Sequence, residues 1–343
     1  MCNFDLDTEY YNSRLSSIYY AISNTSLTIT AILFLPLVYL ILKKSQKLGK
    51  YKYYMLIHTV VSFVMTFFVW LIKPVAIFQK YGIAICGPVT KLESRELSFS
   101  FGVVTLSCWV NVSISFSISI IYRAFAPFPG KLQKLCDNSI GYIIFIIIAV
   151  LYFHTTVVIP LAFCYTSEST TIQFIQEYFP EMALFQSRNT YFQIPPTKLV
   201  EYFCLNIIIC YSAYYFFGGL LYGIFILNII KYTKIASSKE LVRLQMMLFK
   251  TITFQGIIEV ILVITPAYAM ALAFYFQSRH SSEIAIAMAT GGSFQAWLNY
   301  ICVMYNIVPY RNTIKKWLQL LVFNGNRSHT NVHPNHVVPR NST

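Results

Sequence analysis

Glu259 is the residue of this chain whose chemistry demands the most explanation. It stands twelve positions past Met247 in an otherwise apolar run, which is about 18 Å along a helix and near the middle of a bilayer. An ionised carboxylate at such a depth is costly and faces a bundle interior, water or a counter-charge. Glu259 is therefore a candidate to bind a polar or cationic ligand group, or to pair with a basic residue, for which Lys73 is the candidate partner. The plainer alternative is a protonated acid bonded to a neighbouring backbone group or hydroxyl. Asn111 and Trp297, each inside another apolar run, are candidate walls of a small-molecule pocket, since such pockets are apolar with a few polar groups. Ordinary helix packing is the competing explanation for both. Arg123 ends one apolar run and Tyr310 and Arg311 follow another; each is either a contact to a protein partner or an anchor snorkelling to lipid phosphates.

Other chemistry is excluded more simply. His58 and His154 lie in separate runs, and no HExxH, GxSxG or Walker A pattern occurs, so catalysis is not expected. The 8 Cys include no CxxC pair, which removes the usual zinc and redox signatures. His329, His333 and His336 fall in a polar tail that reads as solvated chain. Neither a cofactor nor a metal is expected.

The elements that must position these residues are written in the composition. Of 343 residues, 56% are hydrophobic and only 11% charged, too few charges to cover a soluble surface. Disorder is excluded by the 28 Phe and 26 Tyr, because disordered chains are polar and poor in aromatics. An all-α membrane protein remains. A bilayer core of about 30 Å takes about 20 apolar residues, and seven stretches qualify: 18–42, 53–78, 98–122, 140–163, 199–230, 247–276 and 283–308. The third is diluted by Ser107, Asn111, Ser113, Ser115 and Ser117, so it should be surrounded by other helices, its hydroxyls bonded across interfaces or back to its own carbonyls. No basic n-region or cleavable signal peptide precedes the first span, and no internal repeat relates the spans.

Lys43, Lys44, Lys47, Lys50, Lys52, Arg123, Lys131, Lys134, Lys231, Lys234, Lys239, Arg243 and the basic residues after Tyr310 fall on one side, and fewer Lys and Arg on the other. The positive-inside rule then places the amino terminus outside and the carboxyl terminus in the cytosol. This arrangement also explains the net charge of +13 without a nucleic-acid partner. Residues 1–17 form an outer segment, 18–308 the seven-span bundle, 309–323 a surface helix and 324–343 a disordered tail. Within the surface helix, NTIKKWLQLLVF mixes basic residues with Trp317, Leu318 and Leu321, as expected of an amphipathic helix on the inner leaflet. Pro309 breaks the hydrogen-bond ladder before it.

Several segments resemble the nematode serpentine chemoreceptors of the superfamily that contains the Str, Srh, Sri and Srj classes. They are KSQKLGKYKYYMLIH from Lys44 to His58, Leu71-Ile72-Lys73-Pro74, Tyr122-Arg123, LQMMLFK from Leu244 to Lys250 with Gln255 and Pro266, and Pro309-Tyr310-Arg311. The LGKYKY and IKP pieces are Str-like, while the PYR ending is more Srh- or Sri-like. The resemblance implies a G-protein-coupled chemosensory receptor in the plasma membrane of sensory neurons, in the cilium, binding a small external ligand and signalling to a heterotrimeric G protein. It assigns Arg123, Tyr310 and Arg311 to coupling. Tyr122-Arg123 lacks a preceding acid, and Asn306 to Tyr310 is not an NPxxY motif, so rhodopsin-like activation details do not carry over.

Only outer cysteines meet an oxidising compartment. Cys86 and Cys164 fall in the first two outer loops, and a bridge between them is expected, with Cys2 as a competing partner. The long aromatic loop 164–198 is either a lid over a pocket or a layer on the membrane surface. Pro266 should kink the sixth span. Asn24-Thr-Ser26 lies inside or beside the first span, so at most one N-glycan is expected there. A small transporter or ligand-gated channel is the alternative function, and a trafficking partner of other receptors, or a receptor oligomer, is compatible with the same sequence.

Overall fold

The computed structural model describes residues 13–77, 82–125, 138–178, 190–193, 198–235, 239–276 and 280–328, with single residues 134, 180 and 278. In chain order the helices are α1 (Ser13–Lys44), α2 (Tyr51–Ile72), α3 (Arg95–Phe125), α4 (Ser139–Phe153), α5 (Ile159–Ala162), α6 (Glu168–Tyr178), α7 (Lys198–Ile235), α8 (Lys239–Glu259), α9 (Thr265–Tyr275), α10 (Ser281–Asn306) and α11 (Val308–Ser328). Three short strands, β1 (Pro74–Ile77), β2 (Gly82–Ile85) and β3 (Thr190–Gln193), form one antiparallel sheet in the order β1-β2-β3. Of the expected outer segment 1–17 and tail 324–343, residues 1–12 and 329–343 lie outside the described residues, while 13–17 and 324–328 are helical, in α1 and α11.

Among the described residues, six helical segments are long and apolar enough to cross a membrane. Their mid-helix side chains, such as Ile32, Leu35, Ile148 and Phe216, are exposed, as a lipid-facing surface requires. The seventh expected span, α10, is present as a helix but falls short of the six in apolar character. The reason is its position: it packs against α1, α2, α8 and α9 and presents Ser293, Gln295 and Asn299, all buried, to other helices and not to lipid. The tail helix is longer than expected, and Pro309 does not bend it. The break is at Ile307, which is extended (φ −83°, ψ 106°), and Pro309 is the second residue of α11, where its missing N–H is not needed.

The second span also ends earlier than expected. Lys73 takes a left-handed conformation (φ 39°) and caps α2 through its N–H to the Val69 carbonyl; Pro74 then opens β1. The Ile72 carbonyl accepts from the N–H groups of Cys86 (3.1 Å) and Gly87 (2.9 Å). A Cβ on Gly87 would fall 2.1 Å from the Leu71 carbonyl oxygen, so only glycine lets β2 return onto the end of α2.

The fourth and sixth expected spans each contain a π-turn, His154–Val158 and Val260–Ile264. In both, a proline follows two residues later, Pro160 and Pro266. A proline has no N–H for the carbonyl four residues back, and the wider turn accommodates the mismatch. α10 fits closely here. A Cβ on Gly291 would sit 2.6 Å from the Leu262 carbonyl oxygen, and one on Gly292 would sit 2.6 Å from the Trp109 ring. Gly291→Ala is expected to lower the stability of the solubilised protein by about 1–3 kcal/mol through overpacking, read as a lower unfolding midpoint, whereas Gly223→Ala, which meets no neighbour within 4 Å, should not.

Candidate functional site

The third span is the spine of the bundle, because its serines reach three different helices. Ser115 Oγ lies 2.9 Å from His58 Nδ1 on α2, Ser107 Oγ 2.9 Å from His154 Nε2 in the π-turn after α4, and Ser117 Oγ 3.2 Å from the Tyr214 hydroxyl on α7. Ser115, Ser117 and Ser119 also donate to carbonyls of their own helix. Both expected fates of these hydroxyls therefore occur, and the two histidines serve as helix-to-helix struts.

At the sheet end a cavity of about 200 Å³ is walled by Val69, Phe99, Trp109, Phe192, Tyr211, Phe274 and Met288. No charged side chain lines it. Thr105, one of its few hydroxyls, is spent on the Phe101 carbonyl (2.8 Å). Cys164 and Cys204 contribute thiols to the wall. β3 forms part of the roof: it pairs with β2, Ile83 opposite Phe192, and Phe192 is buried against Phe99 at 5.5 Å. Arg95 holds that roof from α3, its guanidinium 4.6 Å over the Phe192 ring and its Nη2 donating to Thr171 on α6 (2.7 Å). Within the loop 164–198, β3 thus supplies the part of a lid that the described residues show. A second cavity of about 290 Å³, lined by Ser113, Ser117, Tyr152, Tyr211, Tyr214 and Phe217, lies between α3, α4 and α7.

The four expected ligand residues line neither cavity. Lys73 does not pair with Glu259: its Nζ donates to Asn24 Oδ1 (2.8 Å), which also accepts from Trp70 Nε1 (2.9 Å), and lies 4.8 Å from the Tyr20 ring centre. Asn24 thereby joins α1 to the end of α2. Asn111 reaches Ser107 at 3.5 Å. Trp297 packs edge-on to Phe294 at 5.7 Å. Glu259 is fully buried at the end of α8, and Gln295 Nε2 on α10 donates to its Oε2 at 3.0 Å. The cavity residues Trp109, Phe99 and Met288 carry no signal in the sequence, where each ring is one aromatic among 58; Phe192 stands out there only as one of the aromatics of the loop 164–198.

At the opposite end Arg123 is buried, with its guanidinium 3.8 Å from the Tyr51 ring centre and Nη1 donating to Gln245 on α8 at 3.5 Å. Tyr51 in turn stacks on Tyr122. Arg123 is therefore a link between α2, α3 and α8, not a snorkelling anchor. Tyr310 is fully buried, its hydroxyl bonded to Ser45 beyond the end of α1. Arg311 lies 5.8 Å from the Tyr305 ring. Trp317 packs against Tyr39 at 5.7 Å, which pins α11 to α1.

The expected Cys86–Cys164 bridge is corrected. Cys86 is disulfide-bonded, but Cys164 is a free thiol, buried with Cys204 and Val200. Its sulfur, at 3.2 Å from the Pro160 carbonyl, faces α5 and α7 instead. Cys2, the competing partner, lies outside the described residues. Among those residues no group of three or more His, Cys, Asp or Glu is arranged to hold a metal ion.

A helical bundle with a lipid-facing belt, a roofed apolar cavity at one end and a buried arginine at the other is a multi-pass membrane protein with receptor geometry. The family described as serpentine type 7TM GPCR chemoreceptor Str matches residues 19–315, and the chain belongs to it. The Str-like segments LGKYKY and IKP are thereby the informative ones, and the PYR ending does not mark another class. No curated protein matches the chain. Without reduction, mass spectrometry of the unfolded, maleimide-treated protein should find Cys164 and Cys204 alkylated and Cys86 unmodified; prior reduction should add Cys86 to the alkylated set.

Proposed function

We propose that this chain is a chemosensory receptor of the plasma membrane, placed in a sensory cilium, which binds a small, neutral, largely apolar external ligand and signals to a cytoplasmic heterotrimeric G protein. The observation that carries this reading is the roofed cavity without a charged wall. A charged ligand entering it would lose its hydration and gain no counter-ion, whereas apolar area is buried favourably there. In this reading the sheet end faces outside and α11 lies on the cytoplasmic leaflet, which the Lys and Arg distribution supports.

The route from ligand to partner follows from contacts already described. Trp109 forms the cavity wall and packs with Met65, Val69, Val112 and Val263. Val263 belongs to the π-turn that joins α8 to α9. A ligand that prefers one position of Trp109 biases the π-turn and, through α8, the Gln245–Arg123–Tyr51 contact at the far end. Only such differential affinity between two states shifts a population. Arg123, Tyr310 and Arg311 are the coupling residues in this reading, with Arg123 released from Tyr51 when α8 moves.

Four outcomes test it. In cells reporting G-protein activity, neutral volatiles should activate and charged analogues should not. Ala289→Phe, which fills the cavity from α10, should reduce the response by at least tenfold at unchanged surface level; an unaltered dose–response curve in the filled variant would remove the cavity from the mechanism. Tyr51→Leu, which takes the ring from beneath Arg123, should raise ligand-independent signalling. Antibody access to terminal tags should find the amino terminus exposed on intact cells and the carboxyl terminus only after permeabilisation.

A further inference from the structure

The cluster around Glu259 contains more oxygen atoms than the protein itself satisfies. The carboxylate is fully buried, and no Lys, Arg or His among the described residues pairs with it. Its Oε2 takes the Gln295 N–H at 3.0 Å, and the same amide nitrogen reaches Ser62 Oγ at 3.4 Å. Glu259 Oε1 and Gln295 Oε1 are left without a partner, both buried. The Ser113 hydroxyl on α3 faces the carboxylate without completing a hydrogen bond. Asn299, one turn from Gln295 on the same face of α10, is 1% exposed and has neither side-chain atom bonded. Buried polar groups are almost always paired, so this concentration in one place calls for a missing partner.

We propose that the missing partner is a monovalent cation of sodium size, held by Glu259 Oε1, Gln295 Oε1 and Ser113 Oγ, with Asn299 Oδ1 completing the set. The donors are a carboxylate, two amide carbonyls and a hydroxyl, all hard oxygens of the kind that suit hard cations and not soft metals. The orientation of Gln295 supports the assignment: with its N–H committed to Glu259 and Ser62, its carbonyl oxygen is free to face a positive charge. One carboxylate is neutralised by one monovalent charge, whereas a divalent ion would leave an excess positive charge in a buried site. The ligands come from α3, α8 and α10, with Ser62 on α2 steadying Gln295. Glu259 also directly precedes the π-turn Val260–Ile264. An ion here ties α8 to its neighbours at the point where the helix changes its winding.

The test uses the full-length purified protein in detergent micelles. The unfolding midpoint is followed as sodium chloride replaces choline chloride at constant ionic strength, with potassium chloride as a size control. A ligand that binds only the folded state raises the midpoint saturably, so a saturable rise of several degrees with sodium, smaller with potassium, is expected. Glu259→Gln should abolish the sodium dependence. Ser113→Ala, which keeps the carboxylate and serves if the first variant does not fold, should raise the half-saturating sodium concentration by about tenfold. Equal midpoints in sodium and choline, an equal rise with potassium, or a sodium response unchanged in either variant would overturn the proposal. A midpoint that follows pH but not sodium, and loses that dependence in Glu259→Gln, would do so as well, by assigning a proton to the site.

Discussion

The structure depends on the need to keep the polar side chains of α3 away from lipid. A hydroxyl in hydrocarbon must find a partner within the protein, and this helix has serines all along its length. Its neighbours are arranged to meet them: His58 from α2, His154 from the π-turn after α4, Tyr214 from α7. The same requirement places α10, whose Gln295 and Asn299 are also hidden from the bilayer. The remaining helices can then be apolar on their outer faces, and they are.

Around this polar centre the two ends of the bundle do different things with similar residue types. At the sheet end an arginine, Arg95, lies over Phe192 and holds a strand across an apolar cavity. At the other end Arg123 lies over Tyr51 and reaches α8. Both guanidiniums are partly desolvated and rest on an aromatic face, an attraction that strengthens where water is excluded. Both contacts are also reversible at modest cost, unlike a buried ion pair whose separation strands a charge. Between them runs a chain of packed groups that includes Trp109, the π-turn and α8. Gly291 and Gly292 permit the closest approach on that path, where any side chain would strike Leu262 or Trp109.

Several sequence expectations met the structure closely. The polar third span is surrounded and internally bonded, and of the two readings of the loop 164–198 the strand β3 favours the lid, since Phe192 lines the cavity. Other expectations failed for identifiable reasons. Lys73 and Glu259 are the buried charges of the apolar runs, but opposite sign does not bring them together: the end of α2 turns left-handed at Lys73 and directs its amine to Asn24 and Tyr20. Pro309 is a plausible breaker, but Ile307, two residues before it, takes the extended conformation and leaves the proline in a helical first turn. Cys86 and Cys164 both fall in expected outer loops, but Cys164 turns into the bundle beside Cys204.

The sequence by itself determined the class of protein: length of apolar runs, scarcity of charge and distribution of Lys and Arg depend only on one-dimensional spacing against the thickness of a bilayer. It also singled out Glu259, because a carboxylate in an apolar run is anomalous before any fold is known. The tertiary structure alone decided which residues form the cavity and which partner each buried polar group finds. The rotation of each helix about its axis sets those outcomes. It is fixed by contacts between residues far apart in the chain, Ser45 with Tyr310, Ser62 with Gln295, Arg123 with Gln245, which leave no periodic trace in the sequence.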